Sequence, residues 1–275
     1  MNRRIAALAG TVVFFLAAGG IGWLLLGGPS PAPPEDASAP LPVPPVPPQL
    51  AEGARYQQCL AMLPDDPRGA ASYAAGWTDG GEGAAHCQAM AQVELGEVEN
   101  GADRLERLAA ASHASPAARA AVFGQAAQAW LIAGNAARAY AAGTAALALA
   151  PGDTDLLVDH AVAAGAQERF GDALEDLTHA LANEPRRAEA LVLRAAAWRH
   201  LGLLDLAETD IDRAVAIDPD SAEALLERGI LRQRRNDQAG ARGDWQRAIE
   251  LAPGTATADL AEQNLALLEA GPVGR

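Results

Sequence analysis

The sequence predicts an all-α protein in which helical hairpins stack into a solenoid, and three observations predict it. Prolines stand at Pro151, Pro185, Pro219 and Pro253, each 34 residues from the next, and a period of that length marks a chain built by repetition. Half of the 275 residues are apolar while only 4% are aromatic; alanine dominates, and it is the strongest helix former. Within each period the apolar positions recur at spacings of three, four and seven, which places them on one helical face.

Each repeat is taken to end just after its proline, so that four ungapped units begin at Ala120, Thr154, Ala188 and Ala222. The fourth position holds Phe123, Leu157, Leu191 and Leu225, and the eighth holds Ala127, Ala161, Ala195 and Gly229. Ala139, Ala173, Ala207 and Ala241 share the twentieth position, and Ala146, Ala180, Ala214 and Ala248 the twenty-seventh. Small residues thus recur where two helices would cross closely. In the third unit "AEALVLRAAAWRHLG" reads as the first helix and "DLAETDIDRAVAID" as the second, with Gly202 at the turn. Pro219 then ends one hairpin, and the residues after it start the next.

The pattern resembles the tetratricopeptide repeat, whose signature sets large, small and proline positions at these offsets. It covers residues 120–153, 154–187, 188–221 and 222–254 and implies a right-handed superhelical solenoid. The eleventh position, Trp130 and Trp198 in two units, is Ala164 and Arg232 in the others, and the twenty-fourth is Gly143 in the first. Looser packing is expected at those places. Upstream, residues 50–119 read as two degenerate hairpins, one broken at "PDDP" and one turning at Gly96. Residues 255–275 read as a capping helix and tail, with Leu260, Leu265 and Leu268 inward and Asp259, Glu262, Gln263 and Glu269 outward. About six hairpins are expected, the terminal ones atypical, as solenoid ends must be.

The amino terminus differs in kind. It opens "MNRR" and then runs uncharged from Ile5 to Gly28, longer than the roughly 20 residues that span a bilayer. No convincing cleavage site follows. Arg3 and Arg4 should hold the short end in the cytoplasm and export the remainder. The expectation is a transmembrane signal-anchor over 1–28, membrane contact through residues 5–28, a bacterial inner-membrane location and a periplasmic carboxy-terminal domain. Residues 29–49 hold more than half of the 18 prolines and predict a disordered, extended spacer.

Charge and composition exclude several functions. The formal net charge is −14, so nucleic acid is not an expected partner. Every one of the 21 basic residues is arginine, which removes Schiff-base lysines and the phosphate-loop lysine. Cys59 and Cys87 are the only cysteines. A disulfide is the favoured reading for an exported domain; two separate buried thiols, or metal or redox chemistry, remain open. His86, His113, His160, His179 and His200 lack metal-ligand spacing. The acidic residues are assigned to exposed helix faces. No catalytic residue, cofactor or metal is expected.

The resemblance implies a concave groove lined by the first helix of each hairpin. Its ligand-facing positions fall on Gln128, Leu131 and Ile132, on Asp155 and Val158, on Glu189, Val192, Arg199 and His200, and on Glu223, Leu226, Gln233 and Arg234. The lysines and asparagines with which chaperone-binding relatives clamp a terminal carboxylate are absent. Asp155, Glu189 and Glu223 would form an acidic rim, Arg199 and Arg234 a basic one. The competing explanation is that acids at helix starts and bases at helix ends simply complement the helix dipole. The implied function is a membrane-anchored scaffold binding a protein or peptide partner, in a role such as envelope assembly, secretion or cytochrome maturation. The alternatives are a non-catalytic subunit or substrate platform of an envelope enzyme, and a structural protein that forms homo-oligomers.

Overall fold

A computed structural model describes residues 49–270, in which all regular structure is helical. Thirteen α-helices follow in order: α1 Ala54–Met62, α2 Pro67–Gly76, α3 Gly81–Glu94, α4 Val98–Ala111, α5 Pro116–Ile132, α6 Ala136–Leu149, α7 Thr154–Gly165, α8 Phe170–Asn183, α9 Ala188–His200, α10 Leu204–Ile217, α11 Ala222–Arg234, α12 Gln238–Leu251 and α13 Ala256–Ala270. Successive helices pack as antiparallel hairpins, α1 with α2 through α11 with α12, and α13 closes the row. The membrane-spanning segment expected at 1–28 and all but the last residue of the linker lie outside the described residues. Among those described, no helix is long and apolar enough to cross a membrane.

Helices α7, α9 and α11 begin at the first residue of their 34-residue periods. Asp153 and Ser221 cap α7 and α11 through their side chains, which satisfies backbone donors that a helix start leaves free. The first full unit departs from this. Its helix α5 starts four residues earlier, at Pro116, because Ser115 caps it and proline fits the first turn.

The turn inside each hairpin is equally regular. Gly134, Glu168, Gly202 and Asn236 stand 34 residues apart, and each has a positive φ, between 59° and 77°. Two units use glycine there, and the other two accept the strain of a side chain in the left-handed region.

The recurrent small residues lie where helices cross. Ala146, Ala180, Ala214 and Ala248 are wholly buried, as are Ala139, Ala207 and Ala241. Gly143, one of the expected weak points, proves to be fitted, and so does the small residue Gly229. A methyl group on Gly143 would come within 2.9 Å of His160, and one on Gly229 within 2.3 Å of Trp245. Both glycines therefore admit a large side chain from the facing helix.

Two further expectations are corrected. Leu260 does not point inward but is 50% exposed, and α13 packs instead through Ala258, Ala261, Leu265 and Leu268. Nor are the acids uniformly solvated, since Asp210, Glu227 and Asp244 are buried. Arg194 holds Asp210 through two bonds of 2.7 and 2.8 Å, and Arg228 holds Asp244 in the same way at 2.9 and 2.7 Å. In the unit before, His160 takes the arginine's place and meets Asp176 at 2.7 Å. Arg232, read as a loosened aromatic position, also bonds Asp244, at 2.7 Å. Each buried carboxylate is paired, as burial of a charge requires.

The amino-terminal hairpins are tied by a disulfide between Cys59 and Cys87, with Cα atoms 6.2 Å apart. Beside it, Tyr56 Oη lies 2.7 Å from His86 Nδ1, and His86 Nε2 lies 2.7 Å from Gln125 Oε1 on α5. With the amide oxygen accepting from Nε2, a neutral ring leaves Nδ1 to accept from the phenol. Burial lowers His86 below its usual 6.5, against the opposing pull of Gln125, and burial raises Tyr56 from 10.0 to about 12.

Candidate partner-binding groove

The first helices of neighbouring hairpins touch along α5–α7, α7–α9, α9–α11 and α11–α13, while the second helices of successive hairpins make no comparable contact. Closer packing on one side curves the row, so the first helices line its concave face. The residues expected there occupy repeating places. Asp155, Glu189 and Glu223 are exposed near the starts of α7, α9 and α11. Val158, Val192 and Leu226 follow three residues later in each helix, and Leu260 is the next member of that series. The 34-residue register therefore continues into α13, which takes the place of a first helix.

The groove is less open than its residue types suggest. Gln128 donates to Asp159 at 2.7 Å; burial first, with neighbouring Asp155 and Glu189, raises that carboxyl above its ordinary value. Arg187 bridges the acidic rim, giving 2.6 Å to Asp155 and 3.2 Å to Glu189. Val158 is buried, while Leu131 is half-buried against the core and Ile132 is exposed. The basic rim is also reduced. Arg199 is held by Glu227 at 2.5 and 3.3 Å and gives its remaining contact to His200 Nε2 at 3.3 Å. His200 stacks on Phe170 with ring centres 4.3 Å apart, and burial together with the Arg199 charge lowers its pKa. Arg234 is exposed and Gln233 half-buried.

Two hollows open along this face. One, of about 470 Å³, lies between the starts of α9 and α11 and brings Glu189, Val192 and Glu223 together with Leu193, Asp218 and Ser221. The other, of about 330 Å³, is apolar and lies between α7 and α9, walled by Ala161, Val162 and Ala196 and edged by Phe170 and His200. Position counting finds Glu189, Val192, Glu223 and His200. It misses Asp218, Leu193 and Phe170, which belong to a turn, to the inner side of a helix and to a second helix. Leu260 was within reach, because adding 34 to Leu226 points to it. Among the described residues, no group of three or more histidine, cysteine or acidic side chains is arranged to hold a metal ion.

Fold and register together define a helical-repeat solenoid with an open concave face. The tetratricopeptide-repeat family model matches residues 158–222, and the chain carries tetratricopeptide repeats. TTC0263, a thermophilic TPR protein of Thermus thermophilus, is 21% identical with a TM-score of 0.55, covering 68% of this chain and 100% of that one. A tetratricopeptide repeat protein of Parabacteroides merdae is 14% identical over 76% and 83% of the two chains, with a TM-score of 0.56. MamA of Desulfovibrio magneticus RS-1 is 17% identical over 73% and 97%, with a TM-score of 0.53. These likenesses establish the fold. No curated protein matches the sequence at a significant level.

Proposed function

We propose that the chain is a membrane-anchored scaffold whose repeat domain, in an oxidising exported compartment, holds a protein or peptide partner in its concave groove. Tetratricopeptide repeats are interaction scaffolds, and solenoids present their concave faces as extended binding surfaces. The observation that carries the reading is the apolar series on that face, in which Val192 and Leu226 are half-buried and Leu260 is exposed, with no further helix over them among the described residues. Apolar side chains left on a concave face suit contact with a partner. The Cys59–Cys87 bridge supports export, because disulfides persist outside the reducing cytosol. The uncharged run from Ile5 to Gly28 supports anchoring.

The test is photo-crosslinking in cells from position 226, in the groove, compared with Asp212 on the exposed side of α10. A discrete adduct from 226 and none from 212 supports the reading, and equal adducts from both refute it. A reporter active only outside the cytoplasm, fused after Arg275, should be active; inactivity would remove the exported topology.

A further inference from the structure

We propose that the carboxy-terminal half of the groove is a seat for a basic–aliphatic segment of the partner. An arginine or lysine side chain occupies the hollow between α9 and α11, and an aliphatic side chain beside it packs on Leu260. The inference rests on the groove reading and adds to it the chemistry and the position of the occupant.

The two halves of the groove differ in how far their charges are already met. In the amino-terminal half, Asp159 accepts from Gln128, and Arg187 spans Asp155 and Glu189. Glu189, which also edges the hollow, is thus met by Arg187, but the hollow's other two carboxylates are not. Among the described residues Glu223 accepts only from the hydroxyls of Ser221 and Thr257, at 3.4 and 3.3 Å, and Asp218 only from the backbone of its own turn. Among the described residues neither carboxylate meets a cation. Val192 and Leu193 form the apolar floor beneath them.

That combination suits one kind of side chain. Arginine and lysine carry a long apolar stem and a charged end, and they bury the stem while the end seeks carboxylates. A hollow of about 470 Å³ is ample for such a group. An acidic residue would meet repulsion there, and a neutral one would cover two carboxylates without replacing their water. The net charge of −14 attracts a cationic segment from a distance as well.

The aliphatic part follows from α13. Thr257 bonds Glu223 and fixes the start of α13 beside the hollow. Leu260 stands one turn further, about 5 Å along the helix, and Leu267 two turns beyond it on the same face, 50% and 63% exposed. A residue one or two places from the cation in an extended segment reaches Leu260, since each residue advances about 3.3 Å.

The probe is a fluorescein-labelled glycine–serine decapeptide carrying Arg-Ser-Leu, with Glu-Ser-Leu and Arg-Ser-Ser peptides as controls. Binding to the detergent-solubilised full-length chain is followed by anisotropy up to millimolar peptide. The Arg-Ser-Leu peptide should bind at least tenfold more tightly than either control. The tenfold preference over Glu-Ser-Leu should vanish in the Asp218→Asn, Glu223→Gln double variant, with helical content unchanged. Equal or better binding of the acidic peptide, wild-type affinity in the double variant, or no binding of any peptide overturns the proposal. A change in sedimentation of the double variant without a change in peptide affinity assigns the hollow to a second copy and overturns it too. Val192→Trp separates the two readings. If it abolishes binding of a peptide that shows no charge preference, the groove stands and the basic seat falls; if all binding survives it, the groove itself falls.

Discussion

Arg194 and Asp210 form a two-point ion pair in which every carboxylate oxygen is met, and Arg228 and Asp244 repeat it 34 residues further on. The pair joins the first and second helices of one hairpin, at the depth where other positions are alanine. His160 and Asp176 make the same junction one unit earlier. In the first full unit the two places are Ala126 and Ala142, both buried, so the same crossing is closed there by apolar contact alone.

Removing one partner should cost far more than removing both. Asp210→Ala leaves Arg194 facing an apolar crossing without its carboxylate, and the loss expected is about 3 kcal/mol. Arg194→Met combined with Asp210→Leu should recover most of it, as apolar pairs of similar volume commonly do. Urea unfolding followed by circular dichroism checks both. Equal losses in the single and double variants would mean that the pair stabilises the hairpin directly.

Gly229 and Gly243 lie in adjacent helices and should respond oppositely to alanine. Alanine gains up to about 1 kcal/mol over glycine in a helix interior, and a methyl group at Gly243 meets nothing within 4 Å. At Gly229 the methyl meets the indole of Trp245, a wholly buried ring whose Nε1 donates to the Leu226 carbonyl at 3.2 Å. Gly243→Ala is expected to stabilise by about 0.5–1 kcal/mol and Gly229→Ala to destabilise by about 1–3 kcal/mol. Thermal unfolding distinguishes the signs.

Glu168, with φ at 59°, stands where Gly134 and Gly202 stand in other units. Glu168→Gly should therefore raise stability by about 1 kcal/mol, because glycine enters the left-handed region without the steric cost. A fall in the unfolding midpoint would show that the Glu168 side chain contributes more than its backbone costs.

The Tyr56–His86 contact sets a pH range. Burial lowers His86 below 6.5, so unfolding exposes an imidazole that takes up a proton which the folded one refuses. Stability should fall as pH drops below about 6.5, and less steeply in His86→Gln; part of the slope remains from His200, whose pKa is also lowered. Tyr56 works at the other end. Its phenol is held up to about 12, so the unfolded chain ionises first and stability should fall as pH rises past 10.0. Unfolding midpoints against pH, with phenolate absorbance for Tyr56, test the two limbs separately.

The Cys59–Cys87 bridge closes a sequence separation of 28 residues, worth about 3–4 kcal/mol in a chain-entropy estimate. Thiol labelling of the denatured, unreduced protein should find neither cysteine free. Cys59→Ser should loosen α1–α3 while leaving α9–α13 protected from hydrogen exchange, since repeat stability is largely a matter of neighbours. Uniform loss of protection along the chain would contradict that locality.

The repeat itself was legible in the sequence, and the reason is geometric. A helix crossing tolerates only small side chains at its closest point, so Ala139, Ala173, Ala207 and Ala241 had to recur wherever the crossing recurred. The turn at Gly202 and the proline stops follow equally from local backbone rules. The Cys59–Cys87 pairing was favoured from the compartment, and the bridge links the neighbouring first helices α1 and α3.

What only the tertiary structure decided concerns polar groups and edges. Charged residues default to solvent when the chain is read alone, because nothing in one helix shows which carboxylate a neighbouring helix will cover; Asp210, Glu227 and Asp244 are buried only because Arg194, Arg199 and Arg228 approach from the facing helices. Leu260 was placed inward by its apolarity, but the face that α13 buries runs through Ala258 and Ala261, and Leu260 lies off that face and stays 50% exposed. The acidic rim was visible as Asp155, Glu189 and Glu223, yet Arg187 satisfies the first two and leaves the third to hydroxyls. A one-dimensional period sets which residue types recur, because packing at each step is the same; whether a given charge is free or already satisfied depends on side chains that meet across helices, and those meetings exist only in three dimensions.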